Sequence, residues 1–199
     1  MPLVDPMTEP QTIAHSAIGS SAIGSSAIGS SGLAPAPIAW DAQGALEVLT
    51  FDLGGQTFAI EATALREIID PLPETVVPGA DPLISAVINF RGQVIPLADL
   101  RVAFGMPRGP LGADARLVVL EIALDGQPLH IAIGTERVNE VTSLHATQAQ
   151  AAPSLGLRWP RELARALVRR DGDVVVLPDL AAVFAPVLRQ AERSGLLAA

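Results

Sequence analysis

The chain has 199 residues, a formal net charge of −8 and no cysteine; 49% of its residues are hydrophobic and only 4% are aromatic. This length fits one domain of ordinary size or two very small ones, built around an aliphatic core. The lack of cysteine excludes disulfides and cysteine metal sites, and the acidic balance argues against a nucleic-acid-binding protein, which usually carries a concentrated basic surface. The N-terminus lacks the basic start of a signal peptide, and no apolar run approaches the roughly 18 residues that span a bilayer. We therefore expect a cytoplasmic chain without direct membrane insertion.

Residues 1–43 are predicted to be a disordered leader rich in Ser, Gly, Ala and Ile. The sequence Ser-Ala-Ile-Gly-Ser occurs three times in succession between residues 16 and 30. A period of five fits neither a helix nor a strand, and a composition rich in Gly and Ser is typical of flexible linkers. The isoleucine of each repeat is unusually apolar for a linker, so a docking or self-association segment is the alternative interpretation.

Three β-hairpins are predicted, over residues 46–60, 83–97 and 116–133, because short apolar runs flank glycine-bearing breaks. The glycines can supply the positive φ that tight turns require. Two aspartates follow strand patterns directly, and we interpret them as caps of the segments that come next. Helices are predicted over residues 161–170 and 185–193. The residues with these turn and cap roles are Gly55, Gly92, Asp99, Gly126, Gly172 and Asp179.

The chain contains a diverged internal repeat, in which residues 46–104 return as residues 117–184. The clearest part is the pattern Gly-x-Val-x-x-Leu-x-Asp-Leu-x-x-x-Phe, which begins at Gly92 and again at Gly172. A duplication explains this agreement better than chance does. Further matched residues are Leu65 with Val138, Glu67 with Glu140, and Ile68 with Val141.

Two copies of about five short strands each predict two small β-barrels. By the repeat they cover about residues 46–105 and 116–185, inside a folded domain of residues 44–187. Residues 188–199 are predicted to be a helix end and a tail. Each copy alone is marginal for independent stability, so we expect the two barrels to share an apolar contact and to fold as one unit.

The sequence carries none of the catalytic signatures that we sought. Its three histidines have no carboxylates at metal-ligand spacing, and it has neither a Gly-x-Ser-x-Gly elbow nor a phosphate-binding loop. Glu67 and Glu140 occupy matched positions and could suggest acid–base chemistry, but surface glutamates on matched strands are the simpler interpretation. We therefore expect no enzyme activity, no cofactor and no metal.

Arg91 is the unusual residue of the second hairpin, because Val, Ile and Leu residues flank it on both sides. Its guanidinium offers five donors in a rigid fork, which matches the geometry of carboxylates. A solvated turn residue is the plain alternative. Another is a structural arginine that pairs within its own chain, with Asp99 or Glu67.

The most specific motif of the sequence is an Asn-Phe-Arg-Gly signature followed by Val-Ile-Pro and Asp-Leu-Arg. It runs Asn89-Phe90-Arg91-Gly92-x-Val94-Ile95-Pro96-x-x-Asp99-Leu100-Arg101. With this motif, residues 46 to about 185 resemble the CheW-like domain, a chemotaxis coupling module also found at the end of the CheA kinase and in CheV. The resemblance implies an all-β fold of two tandem, interlinked five-stranded SH3-like β-barrels without catalysis.

The resemblance also implies two protein partners. These are the regulatory domain of a CheA-type histidine kinase and the cytoplasmic tip of a chemoreceptor, which would recruit the chain to membrane-associated arrays. In the family the receptor tip helix docks in a groove between the barrels, whereas the resemblance assigns no kinase contacts here. The positions that match the groove are Leu65, Glu67, Arg91, Val94, Val138 and Val141.

Two residues depart from the family pattern. Ala86 and Arg137 stand where the family usually has Gly, and Arg137 adds bulk and charge near the expected groove. An adaptor of a pilus or biofilm array is the alternative to an adaptor of flagellar chemotaxis. A small-ligand-binding barrel or an enzyme is a remote alternative.

Overall fold

Strands joined by tight turns make up most of the fold, as the short β-branched runs require. The computed structural model describes residues 36–124, 127–153 and 156–193. The strands are β1 (Ala45–Leu53), β2 (Gln56–Glu61), β3 (Leu65–Ile69), β4 (Glu74–Val76), β5 (Ala86–Phe90), β6 (Gln93–Ala98), β7 (Arg116–Leu124), β8 (Gln127–Thr135), β9 (Arg137–His145), β10 (Ala149–Gln150), β11 (Ala164–Arg170) and β12 (Asp173–Pro178). The α-helices are α1 (Leu100–Ala103) and α2 (Leu180–Arg193). Within the described ranges, no helix has the length and apolar character to cross a membrane.

The strands form two six-stranded sheets, and each sheet takes strands from both copies of the repeat. The first sheet has the order β10-β11-β12-β2-β1-β9, and the second has the order β3-β7-β8-β6-β5-β4. The β1–β2 hairpin of the first copy thus completes the sheet of the second copy, and the β7–β8 hairpin does the reverse. The sheets therefore cross the boundaries 46–105 and 116–185 that the repeat defines in the sequence.

The all-β, interlinked architecture is confirmed, with one strand more per sheet than the five expected. The additional strands are short: β4 has three residues and β10 has two. Both lie at the outer end of a sheet. Such short segments give too little alternation of apolar and polar residues to be recognised in the sequence.

The exchanged hairpins are central to the fold because both of their faces are buried. Along β7, Leu117 and Val119 join an apolar cluster with β5 and β6, while Val118 and Leu120 join a larger cluster with β1 and β2. We call the larger cluster, to which both sheets contribute, the shared core. Among its fully buried members are Phe51, Phe58, Phe104, Phe184, Leu49, Leu53, Leu100, Leu120, Ile131 and Ile133. This core agrees with the expected apolar contact between the two barrels.

The β5–β6 and β11–β12 hairpins have the same turn geometry. Arg91 and Asp171 both have φ of 51°, and glycines with φ of 85° and 92° follow them. Two successive residues with positive φ make a type I′ turn, whose twist matches that of the flanking strands. Gly55, also a predicted turn residue, has φ of 74°, whereas Gly126 lies outside the described residues.

Both predicted cap residues lie at the start of a helix. Asp99 Oδ1 accepts a hydrogen bond from the Arg101 N–H at 3.1 Å at the start of α1. Asp179 Oδ1 accepts one from the Ala182 N–H at 3.0 Å at the start of α2. The helix predicted over residues 185–193 therefore begins earlier, directly after its cap.

The helix predicted over residues 161–170 is wrong, because most of this segment is strand β11. Ala164, Ala166 and Val168 are buried at a spacing of two, which is the period of a strand. The internal repeat contains the missing signal: Gly172 matches Gly92 at an offset of 80 (172 − 92), and the same offset aligns β11 with β5. Burial against the first sheet decides the conformation here over local helix propensity.

The predicted leader boundary at residue 43 lies too far along the chain. Ile38 and Trp40 pack against the apolar cluster of the first sheet. The Ala36 N–H donates to Asp179 Oδ2 at 2.7 Å, and the Arg165 side chain donates to the carbonyls of residues 36 and 37. Residues 36–40 thus form a strap over the first sheet. Residues 1–35 of the predicted leader, including the five-residue repeats, lie outside the described residues.

Candidate functional site

Glu67 and Arg91, two of the predicted site residues, are in direct contact. Glu67 lies on β3, and Arg91 is the first residue of the β5–β6 turn. Arg91 Nη2 lies 2.6 Å from Glu67 Oε2, and the guanidinium carbon lies 5.5 Å from the centre of the Phe90 ring. The Arg91 side chain is nevertheless 72% exposed. An ion pair this exposed contributes at most about 1 kcal/mol to the stability of the fold. Because most of the side chain is exposed, the remaining donors of the guanidinium are available to a partner.

The backbone of Arg91 is in a conformation that arginine seldom adopts. Its φ of 51° lies in the left-handed region, which favours Gly, Asn and Asp. Asn89 Oδ1 accepts a hydrogen bond from the Gly92 N–H at 2.8 Å and so supports the turn. The turn geometry requires glycine at residue 92, but it does not require a cation at residue 91.

An exposed aliphatic side chain lies next to the turn that carries Arg91. Val94 follows the turn and is 67% exposed. Ile68 is also exposed, but it pairs with Val118 whereas Glu67 pairs with Val119, so it lies on the opposite face of the sheet from Glu67. A large aliphatic residue exposed beside a charged pair is typical of protein-binding surfaces, because such surfaces combine apolar anchors with a polar rim. We call Glu67, Arg91 and Val94 the hairpin-tip site.

A related arrangement occurs in the other sheet. Arg170 Nη2 lies 2.8 Å from Glu140 Oε1, and Val141 and Val174 are 50% and 39% exposed. These valines match Ile68 and Val94 in the repeat. The arginine, however, precedes the turn by one residue and its side chain is only 28% exposed. The second sheet therefore presents its guanidinium to solvent far more fully than the first.

Leu65 and Val138, also predicted site residues, are less accessible than Arg91, Val94 and Val141. Both are partly buried and pack against the shared core, Leu65 from β3 and Val138 from β9. These strands pair with β7 and β1 respectively, and each is the last strand of its sheet. Leu65 and Val138 thus border the junction of the two sheets, where the groove was expected.

Arg137, the departure from the family pattern, is held by Asp52. Arg137 Nη2 donates to Asp52 Oδ2 at 2.7 Å, and the Asn139 amide and the Thr57 hydroxyl each donate to Asp52 Oδ1 at 2.9 Å. Burial raises the pKa of Asp52, but the hydrogen bonds from Asn139, Arg137 and Thr57 outweigh it and bring the net pKa below its usual value. Asp52 is therefore ionised near neutral pH and fixes the Arg137 guanidinium.

The Arg137 side chain lies at an open polar cleft of about 650 Å³. Alternation along β9 turns Val138 towards the shared core and leaves Arg137, Asn139 and Val141 exposed. The added bulk therefore does not enter the apolar junction beside Val138.

A row of polar side chains beside the hairpin-tip site was not predicted. Glu121 Oε2 accepts from Arg66 Nη2 at 2.5 Å and lies 3.1 Å from His130 Nε2, while His130 Nδ1 lies 3.2 Å from Gln93 Oε1. Hydrogen bonds from Arg66 first, and from His130, lower the pKa of Glu121. The register of the β7–β8 hairpin places Glu121 opposite His130. Counting residues outward from the hairpin turn along both strands would therefore have predicted this pair from the sequence.

The buried polar side chains of the described ranges are paired and do not gather into a cluster of metal ligands. No group of three or more His, Asp or Glu side chains there could hold a metal ion. All buried side-chain polar atoms in those ranges have a hydrogen-bond partner. The charged and apolar groups of the hairpin-tip site suit contact with another protein.

Known proteins with similar sequences are chemotaxis proteins. The chemotaxis protein CheW of Rhizobium meliloti is 26% identical over 148 residues, which cover 74% of this chain and 93% of the relative. The probable chemotaxis protein CheW of Rhizobium etli is 28% identical over 142 residues, with coverage of 71% and 89%. The chemotaxis protein CheW of Helicobacter pylori is 32% identical over 80 residues, with coverage of 40% and 48%.

The fold and the family agree with these relatives. The crystal structure of the scaffolding protein TtCheW from Thermoanaerobacter tengcongensis matches with a TM-score of 0.62 at 20% identity, covering 70% of this chain and 92% of that one. A model of the CheW-like domain matches residues 47–187, which include every strand described above except the first two residues of β1. The chain therefore belongs to the CheW-like domain family.

Proposed function

We propose that the chain is a non-catalytic adaptor that couples methyl-accepting chemoreceptors to a CheA-type histidine kinase in bacterial chemotaxis. Membership of the CheW-like family and similarity to proteins named chemotaxis protein CheW support this function. The solved relative carries the description of a scaffolding protein. In this role the chain works in the cytoplasm, at receptor arrays on the membrane.

The hairpin-tip site is the observation that carries the proposal. A receptor tip helix presents carboxylates and backbone carbonyls, and an exposed guanidinium can donate to them in a bidentate manner. Glu67 orients the Arg91 guanidinium through one of its nitrogens and leaves the remaining donors to a partner. Val94 supplies exposed apolar contact area next to the turn.

The remaining predicted receptor contacts border the same proposed groove from both sheets. Leu65 and Val138 pack against the shared core and Val141 is exposed. In the proposed arrangement the first two are the apolar floor of the groove, and Val141 lies along its second side. The kinase regulatory domain binds elsewhere, at an apolar patch on a barrel end. Signalling contacts of this kind are modest in area, and a few central anchors dominate their energy.

The test measures two affinities on one variant. Titration calorimetry of Arg91→Ala should show receptor-fragment binding weakened about 30- to 1,000-fold, as for loss of an interface anchor. Binding to the CheA regulatory domain should stay unchanged. Arg91→Lys should recover only part of the receptor affinity, because an ammonium cannot reproduce the fork.

A charge-matched control is Arg108→Ala. Arg108 is exposed in the connector between the two copies, so its removal alters net charge equally without touching the hairpin-tip site. Both affinities should match those of the unmodified chain. Equal weakening of receptor binding by both variants would mean that general electrostatics, and not the hairpin-tip site, hold the receptor.

A further inference from the structure

The polar row beside the hairpin-tip site spans four neighbouring strands of the second sheet. Arg66, Glu121, His130 and Gln93 lie on β3, β7, β8 and β6, in that order. Glu121 follows Leu117 and Val119 at a spacing of two along β7, so it shares the face that carries the apolar cluster of this sheet. The row therefore closes one end of that cluster.

Both ring nitrogens of His130 face oxygen atoms. Nε2 lies 3.1 Å from Glu121 Oε2, and Nδ1 lies 3.2 Å from Gln93 Oε1. Neutral imidazole has one donor and one acceptor nitrogen, whereas imidazolium donates from both. Imidazolium can therefore donate to both oxygens at once, and the charged neighbours of His130 are Glu121 and, through it, Arg66. On loss of the proton, the contact with Gln93 must open or the Gln93 amide must turn over to donate.

The His130–Gln93 contact lies where the backbone pairing between β6 and β8 is weak. The parallel pairing of β6 with β8 consists of Leu97 with Ala132 and Ala98 with Ile133, at the far end of β6 from the turn. At the turn end, the His130–Gln93 contact joins the two strands. Gln93 is two residues from Arg91, and Arg66 immediately precedes Glu67. The row therefore connects to both halves of the Arg91–Glu67 pair.

We propose that the row is a pH-sensitive brace, in which protonated His130 holds the β5–β6 hairpin tip, with Arg91 and Val94, against β8. Histidine changes charge between about pH 5 and 8, a range in which Glu121 stays ionised. Below this transition both contacts of His130 hold the tip; above it the His130–Gln93 contact opens or re-forms with the amide turned over, and the surroundings of the tip change. The brace rests on the proposed function only in that it regulates the receptor-facing site.

NMR spectroscopy of the full chain tests the brace without a partner. Between pH 5 and 8.5, the backbone amides of Gly92, Gln93 and Val94 should titrate with the same midpoint as the His130 ring protons. The tip titration should vanish in His130→Gln and persist in His145→Gln, a matched control on the exposed end of β9. Gln93→Glu should raise the His130 midpoint, because a carboxylate at the same place favours imidazolium.

The binding measurement then separates the brace from the proposed function. Receptor-fragment affinity should fall about threefold from pH 6 to pH 8, the scale of an exposed charge contact, and should stay flat in His130→Gln. Tip amides that do not titrate, or that titrate equally in His130→Gln, would overturn the brace. Tip amides that titrate in a chain that binds no receptor fragment at either pH would support the brace and overturn the proposed function.

Discussion

The β5–β6 and β11–β12 hairpins have nearly the same backbone but carry different charges at the turn. Arg91 and Asp171 share φ of 51° and precede glycines of similar φ. Aspartate tolerates the left-handed region well, whereas arginine gains nothing from it. The β11–β12 turn therefore shows that this backbone does not require a cation at its first position. The arginine at residue 91 is a property of the β5–β6 turn alone. This contrast favours a role for Arg91 in binding over a role in the architecture.

The largest effect is expected from separating the two copies of the repeat. Each sheet needs a hairpin from the other copy, so residues 36–110 and 111–199 expressed separately should be unfolded or aggregate. Mixing the two fragments under refolding conditions should restore the native circular dichroism and NMR spectra. A well-dispersed NMR spectrum from either fragment alone would show that a single copy can form its own barrel.

The strap distinguishes the first sheet from the second, and truncation tests its contribution. Removal of residues 1–35 should leave the free energy of unfolding unchanged within about 0.5 kcal/mol, because their Ser- and Gly-rich sequence predicts a leader that does not pack. Removal of residues 1–43 should lower it by about 2 kcal/mol, because Ile38 and Trp40 lose their contacts with the apolar cluster of the first sheet. Denaturant unfolding of both truncations measures the difference, and equal stability would contradict the packing of the strap.

The sequence is informative where structure depends on neighbouring residues. Hairpin turns at Gly55, Gly92 and Gly172 and caps at Asp99 and Asp179 follow from local backbone requirements. The exchange of hairpins between sheets depends on pairing between distant strands, which no local pattern specifies. From the sequence, the Arg91–Glu67 contact was one of several alternatives, because it depends on β3 and the β5–β6 turn lying close together. The Glu121–His130 pair follows from the β7–β8 hairpin, whereas their contacts with Arg66 and Gln93 depend on distant strands in the same way.

A smaller effect is expected at Asp52 and Arg137, a pair that the other copy lacks. The offsets of the repeat place Ala123 (52 + 71) and Ala64 (137 − 73) at the matched positions. The native pKa of Asp52 is lowered, so the folded state binds fewer protons than the unfolded state. The contribution of Asp52 to the free energy of unfolding is present above the unfolded pKa, which is close to the ordinary aspartate pKa of 3.8. It disappears as the pH falls through the lower native pKa.

Asp52→Asn tests this contribution. At pH 7 the substitution should lower the free energy of unfolding by about 1 kcal/mol or less, because the pair is largely exposed on the Arg137 side. The difference from the unmodified chain should shrink below about pH 4. Urea unfolding at pH 7 and pH 3 measures it, and a difference that grows on acidification would contradict the assigned sign.

The measurement that tests the central claim most directly is made on Arg91→Asn. Asparagine favours the left-handed turn conformation, so the loss of the exposed ion pair should be offset and the free energy of unfolding should change by less than about 1 kcal/mol. The free energy of binding to the receptor fragment, measured on the same preparation, should become less favourable by about 2–4 kcal/mol. A folded Arg91→Asn chain that binds the receptor fragment as tightly as the unmodified chain would contradict the assignment of Arg91 to the binding site.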